Sequence, residues 1–201
     1  MSAAVIRVRL IGMARWQGGA SERLQAAALQ RFAAQGFEGT TVAEIAETAG
    51  LTERTFFRYF ADKREVLFYG QDEFERSFIE PIEAADPAAD PMSIIAAALD
   101  AAADRFSQDR LARARTRYAV IGSDPGLRER ELLKMSALAA AMADALRAHG
   151  INDTAATLAA ESGVAVLRVA FARWLAQGDQ HPYRECQRDA FAQLRTLLAP
   201  T

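Results

Sequence analysis

The chain is poor in the residues that staple, break or charge a protein. It has one cysteine, Cys186, in 201 residues. An internal disulfide is therefore excluded, which suits a reducing cytoplasm. Six prolines and twelve glycines are few for this length, so helices with few interruptions are expected. Lysine plus arginine (24) nearly balance aspartate plus glutamate (26), leaving a net charge of −2. A polycation is excluded, and any contact with nucleic acid must rest on a local patch. The two histidines, His149 and His181, lie far apart and with one cysteine make no metal-ligand constellation. No apolar run approaches the roughly 20 residues of a membrane span. Val5, Ile6, Val8 and Leu10 are interrupted by Arg7 and Arg9, too short and too charged for a signal-peptide core. No P-loop, G-x-G-x-x-G, G-x-S-x-G or Ser-His-Asp order is present. Neither an enzyme nor a bound cofactor is expected.

What is present is helical texture. Hydrophobic residues make up 51% of the chain, enough for a sizeable core. Residues 1–20 show no helical period and read as a flexible arm. Met13 is a candidate start, since helical sequence begins soon after it; the alternative is a short basic arm through Arg7, Arg9 and Arg15. Leu24, Ala28 and Phe32 recur at i+4 and predict a first helix over 21–35, closed by Gly36. Phe37 is expected to pack back on it. Thr41 and Glu44 form a T-x-x-E capping box for a second helix, whose inner face is Val42, Ile45, Ala46 and Ala49. Gly50 ends it. Thr52 caps a third helix with Phe56 and Phe60 inward. Asp62 and Glu65 suggest a box opening a fourth helix through Val66, Leu67 and Phe74. Asp86-Pro87-Ala88-Ala89-Asp90-Pro91 is a break. Further helices are expected near 92–106, 109–121, 126–148, 154–177 and 184–198.

The third helix carries the chemistry. With Phe56 and Phe60 inward beside Leu51, it leaves Glu53, Arg54, Phe57 and Arg58 outside and Thr55 at the edge. An exposed phenylalanine beside arginines costs solubility unless something covers it. A DNA major groove would cover it. Phe57 suits a thymine methyl, Arg54 or Arg58 suits guanine O6 and N7, and Glu53 suits a cytosine amino group. Tyr59 and Lys63 at the far end, and Thr40 and Thr41 before the second helix, are placed to hold phosphate. Thr52 completes the set. The plainer alternative is an ordinary three-helix packing unit.

Residues 21–68 resemble the DNA-binding domain of the tetracycline-repressor (TetR) family of bacterial regulators. The run RLQAAALQRFAAQGFEGTTVAEIAETAGLTERTFFRYFADKREVLF carries the likeness, matched at Thr55, Tyr59, Phe60, Lys63 and Leu67. Phe57 departs from it where tyrosine is frequent, and Glu53 where a basic or polar residue is. The operator should differ accordingly. The resemblance implies an all-α protein: a helix-turn-helix domain at 21–68 and a ligand-binding, dimerising bundle at 69–201. It implies a cytoplasmic homodimer that represses nearby genes from a near-palindromic double-stranded DNA operator until a small-molecule effector releases it.

Beyond residue 68 the residues allow two uses. Methionine and aromatic side chains suit an adaptable apolar pocket: Phe106, Tyr118, Met135, Leu138, Met142, Phe171 and Trp174. Arg117 and Arg168 are candidate polar anchors. Plain core is the competing use. For a dimer seam the candidates are Leu158, Gly163, Val166 and Val169 on one helix, and Phe191, Leu194 and Leu198 on the last. Arg113, Arg115 and Arg117 alternate and read as solvated, not as a second DNA site. Two rival readings stay open: a chromosome-organising DNA-binding protein of the same fold without an inducer, and a helical carrier or enzyme.

Overall fold

The computed structural model describes residues 19–198, so the arm and the alternative start at Met13 lie outside the described residues. Among the described residues the secondary structure is entirely helical, as expected. The order is α1 (Ala20–Gln35), α2 (Val42–Thr48), α3 (Glu53–Tyr59), α4 (Gln71–Glu83), α5 (Pro91–Ala102), α6 (Leu111–Ser123), α7 (Pro125–Ala148), α8 (Asp153–Gln177) and α9 (Tyr183–Leu198). Short 3₁₀ turns lie at Glu65–Phe68, Ala103–Arg105 and Gln108–Arg110.

Local chemistry explains most boundaries. Asp90, Asp124 and Asn152 each accept a backbone N–H at the start of their helix, satisfying amides that have no partner inside it. Pro91 and Pro125 occupy first helical positions, where a missing N–H costs nothing. One expected helix is broken. Asp62 Oδ1 accepts from the amides of Arg64 and Glu65, but only the 3₁₀ turn follows before Tyr69 and Gly70 interrupt. Val66, Leu67 and Phe68 are nonetheless buried, because they plug the base of the N-terminal unit.

Two apolar cores result. The N-terminal one gathers Leu24, Phe32, Phe37, Ile45, Phe56, Phe60 and Val66. It also takes in Val120, Ile121 and Leu127 from α6 and α7, so the boundary at residue 68 is crossed by shared packing. The second fills the bundle of α4, α5, α7, α8 and α9. Helix α8 is its centre. Contrary to expectation, α8 is long and apolar enough for a membrane span by length and composition. Its alanines and valines account for that; here it packs against α5, α7 and α9.

Gly163 shows why small residues sit on α8. A Cβ there would come within 2.7 Å of Ile95 Cγ2 and 3.3 Å of Met142 Cε. The glycine lets α8 approach α5 and α7 within one chain. Gly163 and Val166 are both buried inside the protomer, which removes them from any seam between two copies. Gly163→Ala should overpack this contact and destabilise the fold by about 1–3 kcal/mol. Thermal denaturation followed by circular dichroism will show the lowered midpoint; an unchanged midpoint means the helices separate freely.

Candidate nucleic-acid interface

Helices α2 and α3 form a compact pair. Thr41 Oγ1 accepts from Glu44 N (3.2 Å), and Glu44 Oε2 accepts from Thr41 N (2.8 Å); the capping box is complete. These bonds hold the Glu44 carboxyl below its ordinary pKa. The turn between the helices passes through Gly50 at φ 65°, a left-handed conformation costly for residues with a Cβ. Leu51 N then donates to Ala46 O (2.8 Å). Thr52 Oγ1 accepts from Thr55 N (3.2 Å) and starts α3.

Phe56 and Phe60 are buried and pack at 5.1 Å between ring centroids. That fixes the rotation of α3 and turns Glu53, Arg54, Phe57 and Arg58 to solvent, with Thr55 at the edge. Phe57 is 54% exposed. Its ring meets only the edge of Phe56 (5.5 Å) among the aromatic residues described. Arg58 lies over the Tyr59 ring at 5.0 Å. Among the described residues no carboxylate comes within ion-pair distance of Arg54 or Arg58. The result is an exposed face carrying two cations and an uncovered ring.

Two residues expected to hold phosphate beside that face are engaged within the protein. Thr40 is buried, and its hydroxyl donates to Gly36 O (2.8 Å). Lys63 Nζ donates to Phe37 O (2.7 Å) and Thr40 O (2.9 Å) and sits over the Phe37 ring. Both close the loop from α1 to α2, because the carbonyls there have no helical partner. Spacing alone did not show this, since it depends on the loop folding back over residue 63. Arg31, which the sequence did not single out, donates to Thr48 Oγ1 (2.7 Å) and ties α1 to α2.

The α6 arginines are also corrected. Arg117 Nε donates to Leu67 O (2.9 Å) and Nη2 to Glu131 (2.9 Å). Arg115 reaches Leu175 O and Asp179, and Arg113 donates to Gln25. They bind elements together and are not simply solvated; Arg117 is no pocket anchor. Arg168 is exposed on α8 and points away from the bundle. Leu138, Met142 and Trp174 are fully buried, Met135, Phe106 and Phe171 partly so, and Tyr118 is exposed. A concavity of about 290 Å³ lies at the α1–α6 seam, lined by Ala26, Leu29, Gln30, Arg113 and Thr116.

Lys63→Met should lower folding stability by about 1–3 kcal/mol, the scale of lost charged hydrogen bonds. A thermal melt unchanged by the substitution, with weaker DNA binding, would make Lys63 a phosphate contact instead. For Glu44 the sign is set by its depressed folded pKa. Its contribution is present above about the ordinary value of 4.5 and is lost as pH falls through the lower folded value. Melting curves of Glu44→Gln should therefore lack part of the acid destabilisation of the parent below about pH 4.5.

Comparison with known proteins agrees with this geometry. Residues 24–69 match the family of bacterial regulatory proteins, tetR family. Residues 89–199 match the MftR C-terminal domain. A curated relative, the HTH-type transcriptional regulator TcmR of Streptomyces glaucescens, is 36% identical over 84 residues, 42% of this chain and 37% of TcmR. The match thus spans little more than a third of that relative. SmeT in complex with triclosan superposes with a TM-score of 0.60 at 19% identity, covering 87% of this chain and 88% of SmeT. FadR of Bacillus subtilis in complex with stearoyl-CoA gives 0.55 at 20% identity, covering 86% and 96%. A helix-turn-helix unit with an outward recognition helix, carried on a helical bundle whose sequence matches over more than half the chain, places this protein in the TetR family of DNA-binding transcriptional regulators.

Proposed function

We propose that the chain is a ligand-responsive repressor. As a homodimer in the cytoplasm, it binds a near-palindromic double-stranded operator and leaves it when a small apolar or amphipathic effector occupies the C-terminal bundle. The observation that carries the DNA part is the outer face of α3. Phe57 stands exposed between Arg54 and Arg58, and no carboxylate among the described residues neutralises either arginine. A major groove supplies what this face lacks: guanine O6 and N7 for a guanidinium, a thymine methyl for the ring. Glu53 meets a cytosine amino group, and Thr41, Thr52, Thr55 and Tyr59 hold the backbone.

The homodimer is supported by apolar side chains left uncovered on the outer faces of α8 and α9. Leu158 is 64% exposed and Val169 53%. Leu198 is also exposed, and Phe191 and Leu194 are half-buried beside it. Two copies sharing these faces would present two recognition helices to half-sites about one helical turn apart or somewhat more. The effector part is supported by fold relatives solved with a bound small molecule, SmeT with triclosan and FadR with stearoyl-CoA. The two ligands differ widely, so the fold itself selects no single chemistry.

Genome-wide binding of the purified protein at about 0.15 M salt tests this reading. A few sharp palindromic sites are expected; many dispersed sites would make it a chromosome-organising protein. On the operator so found, Arg58→Ala should cost about 1–3 kcal/mol and relax one base position. Equal weakening on every sequence would show that Arg58 meets only phosphate.

A further inference from the structure

The densest aromatic grouping lies far from α3 in sequence, in the bundle. Phe106 stacks on Tyr183 at 4.1 Å between centroids. It meets Trp174 edge-on at 6.0 Å and Phe171 at 5.7 Å, and Phe171 meets Tyr118 at 6.2 Å. Tyr118 is exposed, Phe171 and Phe106 are half-buried, and Trp174 and Tyr183 are fully buried. The rings make a continuous path from the surface between α6 and α8 to the interior between α8 and α9.

That path ends on polar atoms with nothing to bind. Trp174 Nε1, Tyr183 Oη and Gln187 Oε1 are each buried without a hydrogen-bond partner among the described residues. Tyr183 and Gln187 are one turn apart on α9 and share a face. The Trp174 and Tyr183 rings lie 5.9 Å apart. An unsatisfied buried polar atom costs about 1–3 kcal/mol, so three of them on two packed helices are a poor way to build a core. Together they offer a donor, a hydroxyl that donates or accepts, and an acceptor.

Phe106 is the movable member of the path. It lies between the 3₁₀ turns Ala103–Arg105 and Gln108–Arg110, outside any α-helix. It can leave its stack on Tyr183 without unwinding one. The nearby charged groups are already engaged at the surface: Arg184 with Asp100 and Asp104, Arg105 with Glu73, Arg115 with Asp179 and Arg173 with Asp189. Among the described residues no unpaired charge is left inside to receive an ionic ligand, and a buried ion without a partner is costly.

We propose that this path is the effector site and that it takes an uncharged planar aromatic molecule bearing phenolic or carbonyl oxygens. The ring replaces Phe106 against Tyr183, and the oxygens satisfy Trp174, Tyr183 and Gln187. This rests on the ligand-responsive reading above and names the site and the ligand class for it.

Trp16→Phe leaves Trp174 as the only tryptophan of the two, and its emission reports the site directly. Titration with chrysazin, a neutral dihydroxyanthraquinone, should quench it saturably. Anthraquinone sulfonate, with the same rings and a charge, should not. Tyr183→Phe and Gln187→Leu should each weaken chrysazin binding about tenfold, the scale of one lost hydrogen bond. Tyr183→Phe should melt no lower than its parent, since it deletes an unsatisfied hydroxyl and keeps the ring. Absence of quenching, or parental affinity in both variants, overturns the proposal. Operator binding followed in the same samples separates the two readings. A compound that releases DNA with Trp174 emission unchanged sinks this site and keeps ligand response. Quenching that depends on Tyr183 and Gln187 while the operator stays bound keeps the site and sinks the release mechanism.

Discussion

The direction in which α3 faces depends on how the N-terminal unit rests on α6 and α7. Val120, Ile121 and Leu127 complete the apolar cluster built around Leu24, Phe32 and Phe56. Each such side chain contributes about 1.5–3 kcal/mol when fully buried. Around this contact Arg117 holds Leu67 O and Glu131, and Glu65 meets Arg130 and Lys134. These ion pairs are partly exposed, so each is worth about 0–1 kcal/mol. Apolar burial therefore supplies the adhesion, and the charged groups set the register.

That seam gives α6 a double attachment. Arg113 and Arg117 reach the DNA-binding unit, while Arg115 binds Leu175 O and Gln108, just before α6, binds Gly178 O. Phe106 lies on the same short connection into α6. A ligand that displaces it therefore acts on an element touching both ends of the chain. Such an arrangement regulates only if the ligand and the operator favour different positions of α6, since a coupling free energy needs two states with unequal affinities.

The outward residues of α3 were largely legible in the sequence because they lie on one helix with a strict inner face. Once Phe56 and Phe60 are inward, the 3.6-residue period leaves Arg54, Phe57 and Arg58 outside. Thr40 and Lys63 were not legible. Their roles are set by where the loop carbonyls of Phe37 and Thr40 end up, which no period encodes. Tyr183 and Gln187 escaped notice for a similar reason. A tyrosine opening a helix and a glutamine one turn later are ordinary in a sequence; only packing against Trp174 and Phe106 makes them buried and unpartnered.

By itself the sequence determined the all-helical class, the Thr41–Glu44 capping box and turn of the DNA-binding unit, and the outward face of α3. All of these follow from local hydrogen bonding and from one helix's own period. Tertiary structure alone decided that Gly163 and Val166 serve the protomer's core and that the arginines of α6 are ties. It also decided that the early aromatic residues of the bundle meet the late ones. Those outcomes depend on distances between segments far apart in the chain: Gly163 against Ile95, Arg117 against Leu67, Phe106 against Tyr183. Residue spacing along one helix carries no information about them.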